Sequence, residues 1–142
     1  MAGVEIHVTS LCKEAQGFVD LAKMLRANLV IHECPQNSDV LAVAKKCHLA
    51  VGIPFSETFY YAGVEPVLVG TPCLTWPGIP ALDASPAALL VQDPTNVATV
   101  ATAITCALAD GPALAKLQYT ALAAKAACHN QAARKAICEM LG

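Results

Sequence analysis

Two glutamates, Glu57 and Glu65, stand eight positions apart in the stretch SETFYYAGVEPVLVGTPCL (56–74) of a chain with only eleven acidic residues. A carboxylate accepts hydrogen bonds and donates none, so two of them beside a helix start can grip the hydroxyls of a sugar. The helix amino end favours a phosphate. Eight residues make a loop and about one helical turn, which lets the second carboxylate return to the same crevice. Both demands suit a sugar carried on a nucleotide. The same two acids would equally serve as a solvated loop acid and an acid complementing a helix dipole.

The elements that must position these residues follow from periodicity. VEIHVT (4–9) alternates apolar and polar residues and predicts a strand, and Phe18, Leu21, Ala22 and Leu25 recur at helical spacing after it. NLVIHE (28–33) predicts a second strand, and PQNSDVLAVAKKC (35–47) a helix opened by polar capping types. Further strands are expected at HLAVGIP (48–54), PCLTW (72–76) and AALLVQ (87–92), each short, apolar and bounded by Pro, Gly or polar residues. Beyond them a helix capped by Thr95 or Asn96 carries Val97, Val100, Ala101, Ile104 and Leu108 on one face. Gly111-Pro112 ends it, and two Ala-rich helices follow over about 113–127 and 130–141, with Leu114, Leu117 and Leu122 turned inward. Strands alternating with helices predict a single α/β domain over 1–142. The expected architecture is a Rossmann-like, doubly wound, mostly parallel sheet of five to six strands with C-terminal helices, its ligands beyond the carboxyl ends of the strands.

Composition excludes several classes. The chain is 142 residues long, 56% hydrophobic and 14% charged, which argues for a folded core and against disorder. Its net charge is −2 and its nine Lys and Arg residues are scattered, so no nucleic-acid footprint is visible. Every apolar run is broken before membrane-spanning length, and the opening MAGVEIHVTSLCKEAQ lacks the apolar stretch of a signal peptide, so a cytoplasmic protein is expected. The seven cysteines show neither a CxxC pair nor metal-ligand spacing, and they read as reduced, mostly small core residues with no metal bound. His32 and His48 flank apolar strands as structural histidines, and His7 and the Cys128-His129 pair carry no assigned role. Trp76 either packs beneath a base or fills core.

The loops test the common occupants of such a fold. TSLCKEAQG after the first strand holds only Gly17 and cannot supply the GxGxxG of a dinucleotide site; neither a P-loop nor a GxSxG elbow is present. The span from about Asn28 to Asp110 resembles the donor-binding, carboxyl-terminal domain of GT-B glycosyltransferases of the retaining EX7E type. Glu57 and Glu65 match the motif glutamates. GTPCLTWPGIPAL (70–82) is similar to the GTPV…GGIPE segment, and ALLVQDPTNVATVATAI (88–104) to the following Leu-Leu-Val segment. The resemblance implies that Glu57 lies beside the transferred sugar as the catalytic residue, that the backbone N–H groups of Thr58 and Phe59 meet the diphosphate, and that Glu65 binds the ribose. Lys13 is then the one cation offered by the first loop. It implies a UDP- or GDP-linked sugar as donor, no further cofactor, and glycosyl transfer only once an acceptor-binding domain, such as a separate subunit, completes the cleft; the apolar, Ala-rich composition leaves room for an apolar face that meets such a subunit or a second copy of the chain.

The chain departs from that pattern at three places. ETFY stands where the family has EGFG, Pro66 follows Glu65, and the Arg/Lys pair of the first loop is reduced to Lys13. These departures support an alternative of another class, a non-catalytic interaction or regulatory module without donor binding. A mononucleotide binder using Thr9 and Ser10 is a third reading.

Overall fold

The computed structural model describes residues 4–10, 16–34, 36–54 and 60–141. The chain forms two compact units, Met1–Cys47 and His48–Gly142.

In the first unit, β1 (Glu5–Ser10), α1 (Gln16–Leu25), β2 (Asn28–Glu33) and α2 (Asn37–Ala44) follow one another. β1 and β2 pair in parallel from Glu5↔Asn28 to Ser10↔Glu33. Arg26 adopts a left-handed φ of 52° between α1 and β2, and the Asp39 carboxylate accepts from the Gln36 N–H at 3.3 Å where α2 begins, a reciprocal cap of the kind expected at a helix start.

In the second unit, β3 (Ala50–Val51), α3 (Tyr61–Leu68), β4 (Cys73–Leu74), a 3₁₀ turn (Ala87–Leu89), α4 (Val97–Ala109) and α5 (Gly111–Leu141) are arranged around a small parallel sheet. Successive strand residues point to opposite faces, and β4 shows it: Cys73 packs with Val64, Val67, Ile79 and Leu82, Leu74 with Leu89, Val91, Ala107 and Leu114. Each buried aliphatic side chain contributes about 1.5–3 kcal/mol, and these two clusters are where this unit's buried apolar residues concentrate.

The expectation of one doubly wound sheet of five to six strands is overturned. Among the described residues there are two two-stranded parallel sheets, β1–β2 and β3–β4, and the predicted fifth strand is a 3₁₀ turn followed by a single parallel bridge, Thr75↔Leu90. Proline accounts for the short ladder. Ala50 N–H donates to Pro72 O and Gly52 N–H to Leu74 O, both at 2.9 Å. The next rung would need an N–H at Pro54, and the preceding one an N–H at Pro72; neither residue has one.

On the other edge of β4, Thr75 pairs with the 89–91 segment: its N–H donates to Leu89 O at 2.9 Å and its C=O accepts from Val91 N–H at 2.7 Å. Cys73, two residues earlier, faces the same way but has no strand beside it on that edge among the described residues. The buried amide of Gln118, from α5, stands in for one. Its Oε1 accepts from Cys73 N–H at 2.8 Å and its Nε2 donates to Cys73 O at 2.9 Å and to Ser85 Oγ at 2.8 Å. Gln118 is 1% exposed.

The two predicted C-terminal helices are one, the 31-residue α5, because the polar stretch around His129 contains no helix breaker. Leu114 is buried and Leu122 packs on the first cluster, but Leu117, expected inward, is exposed. Asn96 caps α4 through bonds from Ala98 N–H and Thr99 N–H. Val97 and Ala101, placed on its inner face by periodicity, are exposed, whereas Ala107 is buried. Among the described residues no single helix is long and apolar enough to cross a membrane; α4 and α5 meet at 98°.

Cysteines were expected mostly in the core. Cys34 and Cys73 are buried and Cys47 half-buried, while Cys106, Cys128 and Cys138 are exposed on helices; these six are free thiols. Burial pushes the Cys73 thiol up to about 12, against a smaller opposing effect of a hydrogen bond with the Gly52 backbone.

Two outcomes are expected. Gln118→Met keeps the volume but orphans both backbone groups of Cys73, and should lower unfolding free energy by about 2–4 kcal/mol in urea titrations. Cys73 is neutral in the folded state until its raised pKa is reached, so its contribution is full below pH 9 and is lost as pH rises from 9 to about 12. Over that window the wild type should lose stability relative to Cys73→Ala.

Candidate functional site

The carboxyl ends of β3 and β4 lead into the residues singled out by the sequence. Glu57, Thr58, Phe59 and Lys13 lie outside the described residues; Glu65 lies within α3. Helical neighbours three and four positions apart share a face. Glu65, half-buried, therefore shares its side of α3 with the exposed Tyr61, Ala62 and Leu68, whereas Gly63, Val64 and Val67 form the buried stripe.

Tyr60, which stands where a glycine-rich cradle would have glycine, begins α3 in the left-handed region at φ 56° and ψ 66°. Its ring is laid across two glycines. A Cβ on Gly52, at the end of β3, would fall 2.6 Å from Tyr60 Cε1 and 2.7 Å from Cζ, and a Cβ on Gly63 would collide with the same ring. Both positions must be glycine for the ring to lie there. Beside it, Trp76 Nε1 donates to Pro54 O at 2.7 Å, tying the segment after β4 to the segment after β3, and its ring covers Gly78. Trp76 is half-buried against the first cluster. Two aromatic rings thus occupy the ground around the strand ends.

The segments that carried the resemblance have structural work of their own. Gly70, at φ 92°, and Thr71 close α3: Gly70 N–H donates to Val67 O at 3.1 Å and Thr71 N–H to Pro66 O at 2.9 Å. This pair of bonds is a Schellman cap, which calls for glycine at the left-handed position. Pro66 sits inside α3, and the helix continues past it to Leu68. After Leu90, Asp93 accepts from Thr95 Oγ1 at 2.6 Å and from Thr95 N–H at 3.1 Å. The Thr95 hydroxyl, then the Thr95 backbone, hold the Asp93 carboxyl below its usual range. That turn hands the chain to the Asn96 cap.

Electrostatics are spare. Every Lys and Arg of the second unit follows residue 115, namely Lys116, Lys125, Arg134 and Lys135, all on α5. Lys125 is engaged by Pro80 O and the Asp83 carboxylate. Among the described residues, open grooves of about 490 Å³ lie between residues 87–92 and α4, and of about 500 Å³ between the end of α3 and the start of α5. Neither is lined by Tyr60 or Glu65. The Thr75 hydroxyl is buried with no hydrogen-bond partner among the described residues.

Two features escaped the sequence reading. Gln118 carried no signal beyond being a polar residue in an Ala-rich helix. Glu5, His7 and His32 form a hydrogen-bonded row across β1 and β2; alternation could have put Glu5 and His7 on one face, but only the strand register brings His32 to them. Among the described residues no group of three or more His, Cys, Asp or Glu is arranged to hold a metal ion.

Comparison with family models, with curated proteins and with solved structures found no match.

The ring-on-glycine packing has a measurable signature. Gly52→Ala should destabilise by about 1–3 kcal/mol through overpacking. In a Tyr60→Ala background the same substitution should cost markedly less, so a double-mutant cycle in urea should give a coupling energy of about 1 kcal/mol or more.

Proposed function

We propose that this chain is a non-catalytic interaction or regulatory module, acting in the cytoplasm, that does not bind a nucleotide-sugar donor. The observation that carries this reading is the Tyr60 ring lying over Gly52 and Gly63. A diphosphate needs open backbone N–H groups and compensating cations at a helix start. Here the start of α3 is covered by an aromatic ring, and the stretch between Lys46 and Lys116 contains no Lys or Arg. Exposed apolar side chains on α5, among them Leu117, Tyr119, Ile137 and Met140, offer contact area to a protein partner.

A second reading has its own support. The order of a parallel strand, a helix bearing Glu65, Gly-Thr-Pro and a second parallel strand supports the resemblance to a donor-binding half. In it Glu65 would grip the ribose of a UDP- or GDP-linked sugar, Glu57 would face the sugar, and Thr58, Phe59 and Lys13 would meet the diphosphate. Transfer with retention would then require an acceptor-binding subunit.

Thermal unfolding with UDP, GDP and ADP separates the two. A ligand at 100 times its Kd adds about 2.7 kcal/mol to folding stability. The first reading expects no shift of the midpoint with millimolar nucleotide. Stabilisation by UDP or GDP that Glu65→Ala removes would overturn it in favour of donor binding.

A further inference from the structure

The register of the first unit's sheet puts Glu5, His7 and Thr9 on one face with Asn28, Val30 and His32. On that face four side chains are joined in a row. Asn28 Nδ2 donates to Glu5 Oε2 at 3.2 Å, Glu5 Oε1 lies 2.8 Å from His7 Nε2, and His7 Nδ1 lies 2.7 Å from His32 Nε2. The imidazole centroids are 5.0 Å apart with planes 14° from parallel. With two ring nitrogens so close, that separation is the sum of a hydrogen bond and two ring radii. The rings therefore meet edge to edge in nearly one plane, with the two nitrogens aimed at each other.

With both imidazoles neutral, the protons can be placed by elimination. A carboxylate only accepts, so His7 Nε2 carries hydrogen and donates to Glu5. Neutral His7 then has a bare Nδ1, which accepts from the Nε2–H of His32. One hydrogen occupies the point where two imidazole nitrogens converge.

We propose that His7 Nδ1 and His32 Nε2 are a two-nitrogen site for a borderline divalent cation of the zinc, copper and nickel class, the ion replacing the hydrogen between them. The displaced proton moves to His32 Nδ1, so ligation by the two rings releases none to solvent. Imidazole is a preferred ligand for these ions. The arrangement of Glu5 on the far nitrogen of His7 is the carboxylate–histidine pairing that orients metal ligands and raises their basicity. Bonds of about 2.0–2.1 Å to the ion set the two nitrogens roughly 3.3 Å apart in tetrahedral geometry; the rings must therefore open by about 0.6 Å and each swing by about 35° so that both lone pairs, now on one line, point at the ion. The His7 and Glu5 side chains are 28% and 48% exposed, so solvent can fill the remaining positions. The other two histidines do not reproduce the site: His48 is exposed, and His129 Nδ1 lies 3.0 Å from Lys125 O within its own helix.

The test uses the full chain with accessible thiols alkylated, so that cysteine does not compete. One equivalent of Cu²⁺ should give an electron paramagnetic resonance spectrum with coupling to two imidazole nitrogens, and Zn²⁺ should compete for it. His7→Ala and His32→Ala should each remove one coupled nitrogen and weaken binding at least tenfold. Glu5→Gln should keep both nitrogens and weaken binding about 10-fold, the effect expected of an orienting carboxylate. Thermal midpoints establish that each variant is folded; should His32→Ala unfold, His7→Ala and Glu5→Gln decide. A wild-type spectrum without two coupled nitrogens, or affinity unchanged in His7→Ala and Glu5→Gln, would overturn the proposal.

Discussion

A strand edge with nothing beside it is the constraint around which the second unit is organised. Backbone N–H and C=O groups buried without partners cost about as much as lost hydrogen bonds, and Cys73 has both on an edge where the neighbouring segment reaches only as far as Thr75. A primary amide is the one uncharged side-chain group that can give and take a hydrogen bond as a peptide does, and Gln118 supplies it from α5. Because that amide must arrive at one point, α5 is fixed against β4. Its neighbours Leu114 and Leu122 are thereby delivered to opposite clusters, Leu114 to the one around Leu74 and Leu122 to the one around Cys73.

The same economy shapes the strand ends. Prolines at 54 and 72 stop the ladder after two rungs, leaving apolar ground above a sheet too small to cover itself. Tyr60 and Trp76 cover it, one over Gly52 and Gly63, the other over Gly78 with its N–H satisfied by Pro54. In a larger sheet the crevice beyond the strands is left to a ligand; here the protein's own rings take up that position. The features that suggest a donor site and those that oppose it thus come from the same short segment, and composition alone could not weigh them.

Local signals were legible wherever the physics is local. The strands at 5–10 and 28–33 and the Asn96 cap follow from alternation and capping chemistry. What could not be read was pairing. Five apolar runs of strand length look alike whether they join one sheet or two, and AALLVQ has the composition of a strand while its first half turns as a 3₁₀ helix after Pro86. Leu117 had the right spacing for an inner face and is exposed, because the face α5 buries is chosen by its anchoring contact, Gln118, and not by periodicity alone; Val97, at the start of α4, is exposed as well. For the candidate site, only Glu65 among the expected residues falls where its surroundings are described, and its helix face is set by the buried stripe of Val64 and Val67.

The row of Glu5, His7 and His32 illustrates the same limit from the opposite side. Each residue taken singly is a polar position on a strand, and single polar residues on strands face solvent as a rule. The chemistry arises from register: a shift of one residue between β1 and β2 would send His32 to the other face and leave His7 with Glu5 alone. A site of this kind is carried by a strand pairing and not by a motif: alternation puts Glu5 and His7 on one face, but no spacing in the sequence brings His32 to them.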